Sequence, residues 1–380
     1  MTVTIDCCEE RLVKNLDTQE YWVNMGPQHP STHGVLRFLV KLDGETITDV
    51  IPHIGYMHRG IEKMSENVTY VQFNHLTSRL DYLSAMINNW GYCMCVEKAL
   101  GLEVPARAIY VRMIMSELTR IASHQLWWGV YGMDLGAFTP MMHSFRDRET
   151  INDILEETCG SRLTTHYIRI GGLSNDVHEN FVPRIKKFID GFRKSLVEYA
   201  TLVSGNVIFR ARAENVGILK PAVGISYGCS GSTLRGSGVN YDVRKQDPYG
   251  YYDRMQFDVP LGTKGDSLDR YECRFKEMEQ SLRIIEQCLE QMEPGEVVAA
   301  KVPKKIKLPA GEYFSHVESA RGDHAYFIVS DGGTSPCRLR VRSPGYSNLA
   351  VLPEVVRGWR VADMVTVSST LDLVAPDIDR

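Results

Sequence analysis

Four histidines, one tyrosine and one aspartate are the residues whose types and settings could do chemistry. His29 and His33, in His29-Pro30-Ser31-Thr32-His33, stand four apart, and His53 and His58 follow. On a helix that spacing could hold a metal, but Pro30 disfavours helix at His29 and no cysteine or acidic cluster nearby completes a ligand set. For a lone residue such as His33, a structural hydrogen bond and proton transfer near neutral pH both remain open. Tyr82, in Arg79-Leu80-Asp81-Tyr82, is either a half-buried core residue at helical spacing or a hydroxyl donor. Asp134 interrupts the apolar stretch of residues 126–142, LWWGVYGMDLGAFTPMM. A carboxylate in such a run is ion-paired, caps a helix, or has a raised pKa and handles protons. A histidine, a tyrosine and such an acid could together give hydrogen bonds and protons to an apolar ligand that accepts two electrons. A quinone makes that demand.

Other chemistries are excluded. No G-x-G-x-x-G follows a strand and no G-x-x-x-x-G-K-[ST] occurs, so a nicotinamide, if one is used, belongs to another chain. Gly224-Ile225-Ser226-Tyr227-Gly228 fits G-x-S-x-G, but a nucleophile elbow needs a helix next, and the helix-hostile CSGSTLRGSG follows, so the motif reads as a glycine-rich turn. The nine cysteines are dispersed and form no C-x-x-C pair, which argues for reduced thiols over a disulfide framework or zinc site. With 43 basic and 47 acidic residues in 380, the net charge is −4, too little positive charge for nucleic-acid binding. The start, MTVTIDCCEE, lacks the basic end and apolar stretch of a signal peptide, which places the chain in the cytoplasm or on the cytoplasmic side of a membrane. Gly129, Gly132, Gly136, Pro140 and Asp134 break the long apolar stretch, so it reads as buried core and not as a membrane helix.

The positioning elements follow from periodicity. After a polar leader, residues 35–50 alternate Leu36, Phe38, Val40 and Leu42 on one face around an Asp43-Gly44 turn, a small hairpin behind the HPSTHG loop. Residues 62–100 carry Leu76, Leu80, Leu83, Ile87, Trp90 and Met94 at helical spacing, which predicts a long helix containing Tyr82 and closed by Gly101. Further helices are predicted after Pro105, over 148–159, 181–203 and 268–292. Residues 217–265 form a packed Gly-rich loop, KVPKKIKLPAG is a solvated linker, and 325–330 with 337–342 are strands around Asp331-Gly332-Gly333. The fold class is α+β, mainly α: a helical bundle with small N-terminal and C-terminal β elements. Its expected divisions are 1–60 (hairpin and site loop), 61–300 (bundle) and 301–380 (linker and β/α segment).

Several strings carry a family resemblance. They are Gly26-Pro27-Gln28-His29-Pro30-Ser31-Thr32-His33-Gly34, Pro52-His53-Ile54-Gly55-Tyr56-Met57-His58-Arg59-Gly60-Ile61-Glu62-Lys63, Ser78-Arg79-Leu80-Asp81-Tyr82, Asp134-Leu135-Gly136-Ala137, Tyr167-Ile168-Arg169-Ile170-Gly171-Gly172, Ser237-Gly238-Val239-Asn240-Tyr241-Asp242-Val243-Arg244-Lys245 and Val329-Ser330-Asp331-Gly332. In order, from about Gly26 to Arg380, they resemble the hydrogenase-derived 49 kDa-type subunit of NADH:quinone oxidoreductase, respiratory complex I. That family is similar in fold to the nickel-iron hydrogenase large subunit. At the hydrogenase thiol positions this chain has Asp81, Ser84, Val374 and Asp377, so no nickel-iron centre can form.

The resemblance implies a peripheral-arm subunit on the cytoplasmic side of the plasma membrane. It implies no cofactor on this chain alone, quinone as substrate, and an iron-sulfur cluster in a neighbouring subunit. The implied partners are that terminal-cluster subunit, the 30 kDa-type subunit and the membrane arm. His33 and Tyr82 are then expected to hydrogen-bond the quinone carbonyls, Asp134 to couple to His33 and supply protons, and Arg59 and Arg79 to lie near the cluster, with a surface salt bridge as the alternative for each arginine. The chain departs from the family in having Thr164 where a histidine is usual, Val68 at a usually basic position, and no I-H-H-F-K helix between Pro294 and Pro309. The rival readings are the same subunit in a ferredoxin-fed or otherwise supplied complex, and a structural scaffold.

Overall fold

The computed structural model describes residues 20–29 and 34–380. Leu36, Phe38, Val40 and Leu42 are all buried, because a strand turns every second side chain to the same face. The strands are β1 (Glu20–Met25), the two-residue β2 (Gln28–His29) and β3 (Gly34–Val35), then β4 (Arg37–Asp43) and β5 (Thr46–His53). β4 and β5 form the expected hairpin, and β1 adds antiparallel to β4 to complete a sheet of order β1-β4-β5. Part of the stretch read as polar leader is therefore an edge strand, with Tyr21 and Trp22 exposed.

The single helix expected over 62–100 is three: α1 (Ile61–Ser65), α2 (Tyr70–Thr77) and α3 (Ala85–Leu100). Thr69 and Gln72 close a capping box that starts α2 afresh. Between α2 and α3 the chain bends: the Leu83 amide donates to Asp81 Oδ1 at 3.1 Å and the Ser84 amide to the Asp81 carbonyl, a local aspartate turn that competes with helix. Leu80 and Leu83 are buried as their spacing predicts, yet neither is helical.

α4 (Ala106–Asp134) begins directly after Pro105 and passes through Gly129 and Gly132 without a break. These glycines are contact points for α5 (Thr139–Cys159): a Cβ at Gly129 would lie 2.3 Å from Ser144 Oγ, and one at Gly132 would lie 2.8 Å from Pro140 Cβ. Among the described residues no helix is long and apolar enough to cross a membrane.

Next come a minimal hairpin of β6 (Ile168–Arg169) and β7 (Gly172–Leu173), α6 (Phe181–Tyr199) running into a wider turn to Ser204, and α7 (Val207–Ala213). The Gly-rich segment 217–265, read from sequence as one loop, holds α8 (Pro221–Ser226), α9 (Gly231–Arg235) and α10 (Val243–Gln246). Ser226 ends α8, exposed, with its hydroxyl donating to the Val223 carbonyl, so no strand-to-helix elbow presents it. α11 (Ser267–Gln291) starts at Asp266, whose carboxylate accepts from the Asp269 amide.

The second sheet has three strands where the sequence suggested two: β8 (Gly311–Ser319), β9 (Gly322–Ser330) and β10 (Arg338–Arg342), in order β10-β9-β8. The chain ends in α12 (Pro344–Ala350), α13 (Leu352–Val356), α14 (Val361–Thr370) and α15 (Ala375–Asp379). α4 packs on α3, α5 and α11, and α3 on β8 and β9, around one main core. A second core joins the first sheet to α12–α15. The molecule is a mainly-α α+β fold.

Candidate functional site

The bend after α2 is the centre of the candidate site. Asp81 is buried there, and the guanidinium that neutralises it comes from Arg321, in the tight turn between β8 and β9. Arg321 Nη1 donates to Asp81 Oδ2 at 2.8 Å, Ser84 Oγ at 3.3 Å and Ser123 Oγ at 3.1 Å, and Nη2 donates to Asp372 Oδ1 at 3.3 Å. Gly231 lets that turn approach, since a Cβ on it would be 2.4 Å from the Arg321 carbonyl oxygen. Three chain segments far apart in sequence therefore converge on a cation supplied by a fourth.

Tyr82 is half-buried beside this cluster. Burial pushes its phenol upward from the ordinary value, and Asp81 and Asp372 add to that while Arg321 and Arg148 oppose it. At neutral pH the hydroxyl is a proton-bearing donor. Tyr82 is not in a long helix, as its spacing suggested; the bend carries it out of the helical register. Arg148, on α5, is half-buried, and burial pulls its pKa down while Tyr82 supports its charge.

Asp134 is not in the middle of buried core. It is the last residue of α4, half-buried, with exposed Phe138 and Met142 just beyond it. A helix C-terminus carries partial negative charge, so a carboxylate there sits against the dipole. The acid therefore marks a rim beside an apolar edge. His33 lies outside the described residues; β3 begins one residue later, with Gly34 so close to α15 that a Cβ on it would be 2.8 Å from Ala375 Cβ.

Arg59 and Arg79 are brought together. Arg59 Nη2 donates to the Arg79 carbonyl at 2.7 Å, and both side chains are exposed. Burial and then Arg79 pull Arg59 downward, while Asp379 supports its charge. His75 and His166 pack against each other beside them, ring centroids 3.7 Å apart and planes tilted by 33°, and Arg169 completes a cationic surface. His166 is pushed down to about 4, mainly by burial and then by His75, Arg169 and Arg79. It is neutral at pH 7. Thr164, at the usual histidine position, holds φ at +49°, a left-handed conformation that is strained for a β-branched residue.

The chain terminus fastens the Arg59 loop. The Gly55 and Met57 amides donate to the Asp379 carboxylate at 2.8 and 2.7 Å, and His58 Nδ1 lies 2.7 Å from the Asp379 carbonyl oxygen. Hydrogen bonds to a charged acceptor each contribute about 1.5–3 kcal/mol. Asp379→Ala is therefore expected to speed hydrogen exchange of the Gly55 and Met57 amides by more than about tenfold while the α4 amides stay protected.

Sequence reasoning missed Arg321, Asp372, Arg148 and the His75–His166 pair. Only the adjacent glycine in Arg321-Gly322 hinted at a close turn, and nothing local showed that the arginine points inward.

The model of the family described as the respiratory-chain NADH dehydrogenase 49 Kd subunit matches residues 134–305 and 300–380. A protein of Desulforamulus reducens named as the D-type subunit of NADH-quinone oxidoreductase is 48% identical over 364 residues, 96% of this chain and 99% of that protein. Proteins of the same name from Bacillus anthracis and Bacillus mycoides are each 47% identical over 362 residues, 95% of this chain and 99% of theirs.

Proposed function

Because the chain belongs to the family of the 49 Kd subunit of respiratory-chain NADH dehydrogenase, we propose that it forms the quinone-reducing site of its complex together with a neighbouring subunit that carries the terminal iron-sulfur cluster. It is a peripheral-arm subunit of an NADH-quinone oxidoreductase, and other subunits of that complex are its partners. The observation that carries the site reading is Tyr82: a protonated phenol on a bend, backed by the Arg321–Asp81 ion pair, with Arg148 of α5 close enough to act on it.

In this reading Tyr82 and His33 hydrogen-bond the two quinone carbonyls, and Asp134 acts with His33 in supplying protons. Donor hydroxyls and imidazoles suit the quinone, and their protons satisfy the reduced ring. Arg59 and Arg79 face the neighbouring cluster, where positive charge favours its reduced form. Arg321 takes a place the hydrogenase likeness gives to metal: its guanidinium bonds Asp81 and Ser84, at two of the former thiol positions. The cluster-bearing subunit, the 30 kDa-type subunit and the membrane arm are the proposed neighbours, and the cytoplasmic side of the membrane the proposed location. The proposed divisions of the chain are 1–60, 61–300 and 301–380.

The test is photoaffinity labelling of the native complex with an azidoquinone. Adducts are expected within residues 78–84 and 134–142, in competition with unlabelled quinone. Labelling confined to other subunits would overturn the site and leave a scaffold role.

A further inference from the structure

The loop of residues 54–60, between β5 and α1, carries Arg59 and has little burial to hold it. Ile54 and Tyr56 are 43% and 50% exposed. A segment with so few apolar contacts takes its position from its polar ones. Among the described residues, the hydrogen bonds that tie this loop to distant parts of the chain end on two residues. The Gly55 amide, the Met57 amide and the His58 ring reach Asp379, and Arg59 Nη2 reaches the Arg79 carbonyl at 2.7 Å.

Asp379 is a firm anchor. It is buried on α15, beside the buried Asp377 and Ile378. The next residue, Arg380, donates from Nη1 to the Val341 carbonyl at 3.0 Å and lies over the Tyr346 ring, 5.0 Å from its centroid. The two carboxylate oxygens of Asp379 take one amide each, at 2.8 Å from Gly55 and 2.7 Å from Met57, so the acid fixes two points of the loop and the direction between them. Its backbone carbonyl can only accept, so His58 Nδ1 carries the proton in the 2.7 Å contact. Arg59 follows directly on these three fixed residues, which limits where its Cα stands. Its guanidinium is held at the other end by Arg79, in the run that leads into the Tyr82 bend.

We propose that Asp379 is a positioning residue for electron transfer to quinone: by holding residues 55–58 it sets where the Arg59 charge stands relative to the neighbouring subunit's cluster, and so how readily that cluster is reduced. This rests on the reading that Arg59 faces the cluster. Asp379 itself touches neither cluster nor quinone. Its charge and its positioning act with opposite signs. A nearby carboxylate disfavours the reduced cluster, so as a charge alone its removal would make reduction easier. As the anchor of Arg59, its removal lets the cation move off and makes reduction harder.

The test is a redox titration of the cluster in the purified complex, followed by electron paramagnetic resonance. Asp379→Asn keeps the volume but offers one acceptor oxygen and turns an N–H toward the second amide. It is expected to lower the equilibrium constant for one-electron reduction of the cluster by about three- to tenfold, tenfold being about 59 mV. Asp379→Glu keeps both acceptors and should show a smaller shift of the same sign, which carries the test where Asp379→Asn weakens assembly. In an Arg59→Ala background, Asp379→Asn should no longer lower the constant. An unchanged or raised constant in Asp379→Asn overturns the proposal. Arg59→Ala alone separates the two failures. If it leaves the constant unchanged, the reading of Arg59 fails and the proposal with it. If it lowers the constant and Asp379→Asn does not, only the positioning role fails.

Discussion

Tyr82→Phe is expected to lower quinone reduction by about 10²-fold or more, the usual contribution of a positioned proton donor, while reduction of the neighbouring cluster by NADH continues at its normal rate. The substitution removes one oxygen and keeps the ring that fills the bend. Asp81 and Arg321 retain their mutual hydrogen bond, and Ser84 and Ser123 stay bonded to Arg321, because none of these contacts uses the phenol. The loss therefore reports the hydroxyl and not the packing. Electrons should accumulate on the cluster, which separates this variant from one that blocks their arrival. The readouts are steady-state quinone reduction and the spectroscopic level of reduced cluster in the same preparation. Unchanged turnover would remove Tyr82 from the chemistry.

The second large effect is on stability. Arg235→Met should destabilise the fold by about 3–5 kcal/mol, because it leaves buried carboxylates without their cation. Arg235, on α9, bonds Glu277 at 2.6 Å and Glu318 at 2.7 Å and lies 3.5 Å from Asp242. Arg244 holds the other side of Asp242 and reaches Glu117, which also accepts from Arg120, Ser281 and Tyr252. His124 closes the network on Glu277 at 3.0 Å. Burial opposes ionisation of Glu277, but Arg235 and His124 outweigh it and hold its pKa well below the carboxylate range. Such an acid adds stability above its unfolded pKa of about 4.3, and that stability is lost as pH falls through the lower folded value.

Without Arg235 the folded-state value rises, and the freed carboxyls take up protons as pH falls. The deficit of the variant is then greatest near pH 8 and shrinks toward pH 5, read from denaturant unfolding at the two values. A deficit under about 1 kcal/mol at pH 8 would show that the network is not holding the core.

Much of the candidate site is legible from the chain because its strings are local. The run Ser78-Arg79-Leu80-Asp81-Tyr82 and its counterparts name a family without any knowledge of where they meet. Periodicity served burial better: of the six apolar positions, Leu80, Leu83, Ile87 and Trp90 are buried, and Leu76 and Met94 are half-buried against the core. It failed for backbone shape at 78–84, since hydrophobic spacing reports which side chains leave water and not whether the peptide groups between them bond four residues apart. The aspartate turn at Asp81 decided that. Asp134 failed for a related reason: the apolar run around it combines the last turns of α4 with an exposed edge, and composition cannot locate the boundary.

The chain by itself determined the strand alternation, the main helices, the absence of nucleotide motifs and the family. These depend on neighbours within a few residues or on whole strings. Only the tertiary structure decided that Arg321 would neutralise Asp81 across 240 positions, and Arg235 would neutralise Glu277 across 42. It alone brought His324 within 3.8 Å of Asp377. Pairing of buried charges follows from which segments the fold brings within a few ångströms, where low dielectric magnifies each match and each omission. No pattern along the sequence records that distance.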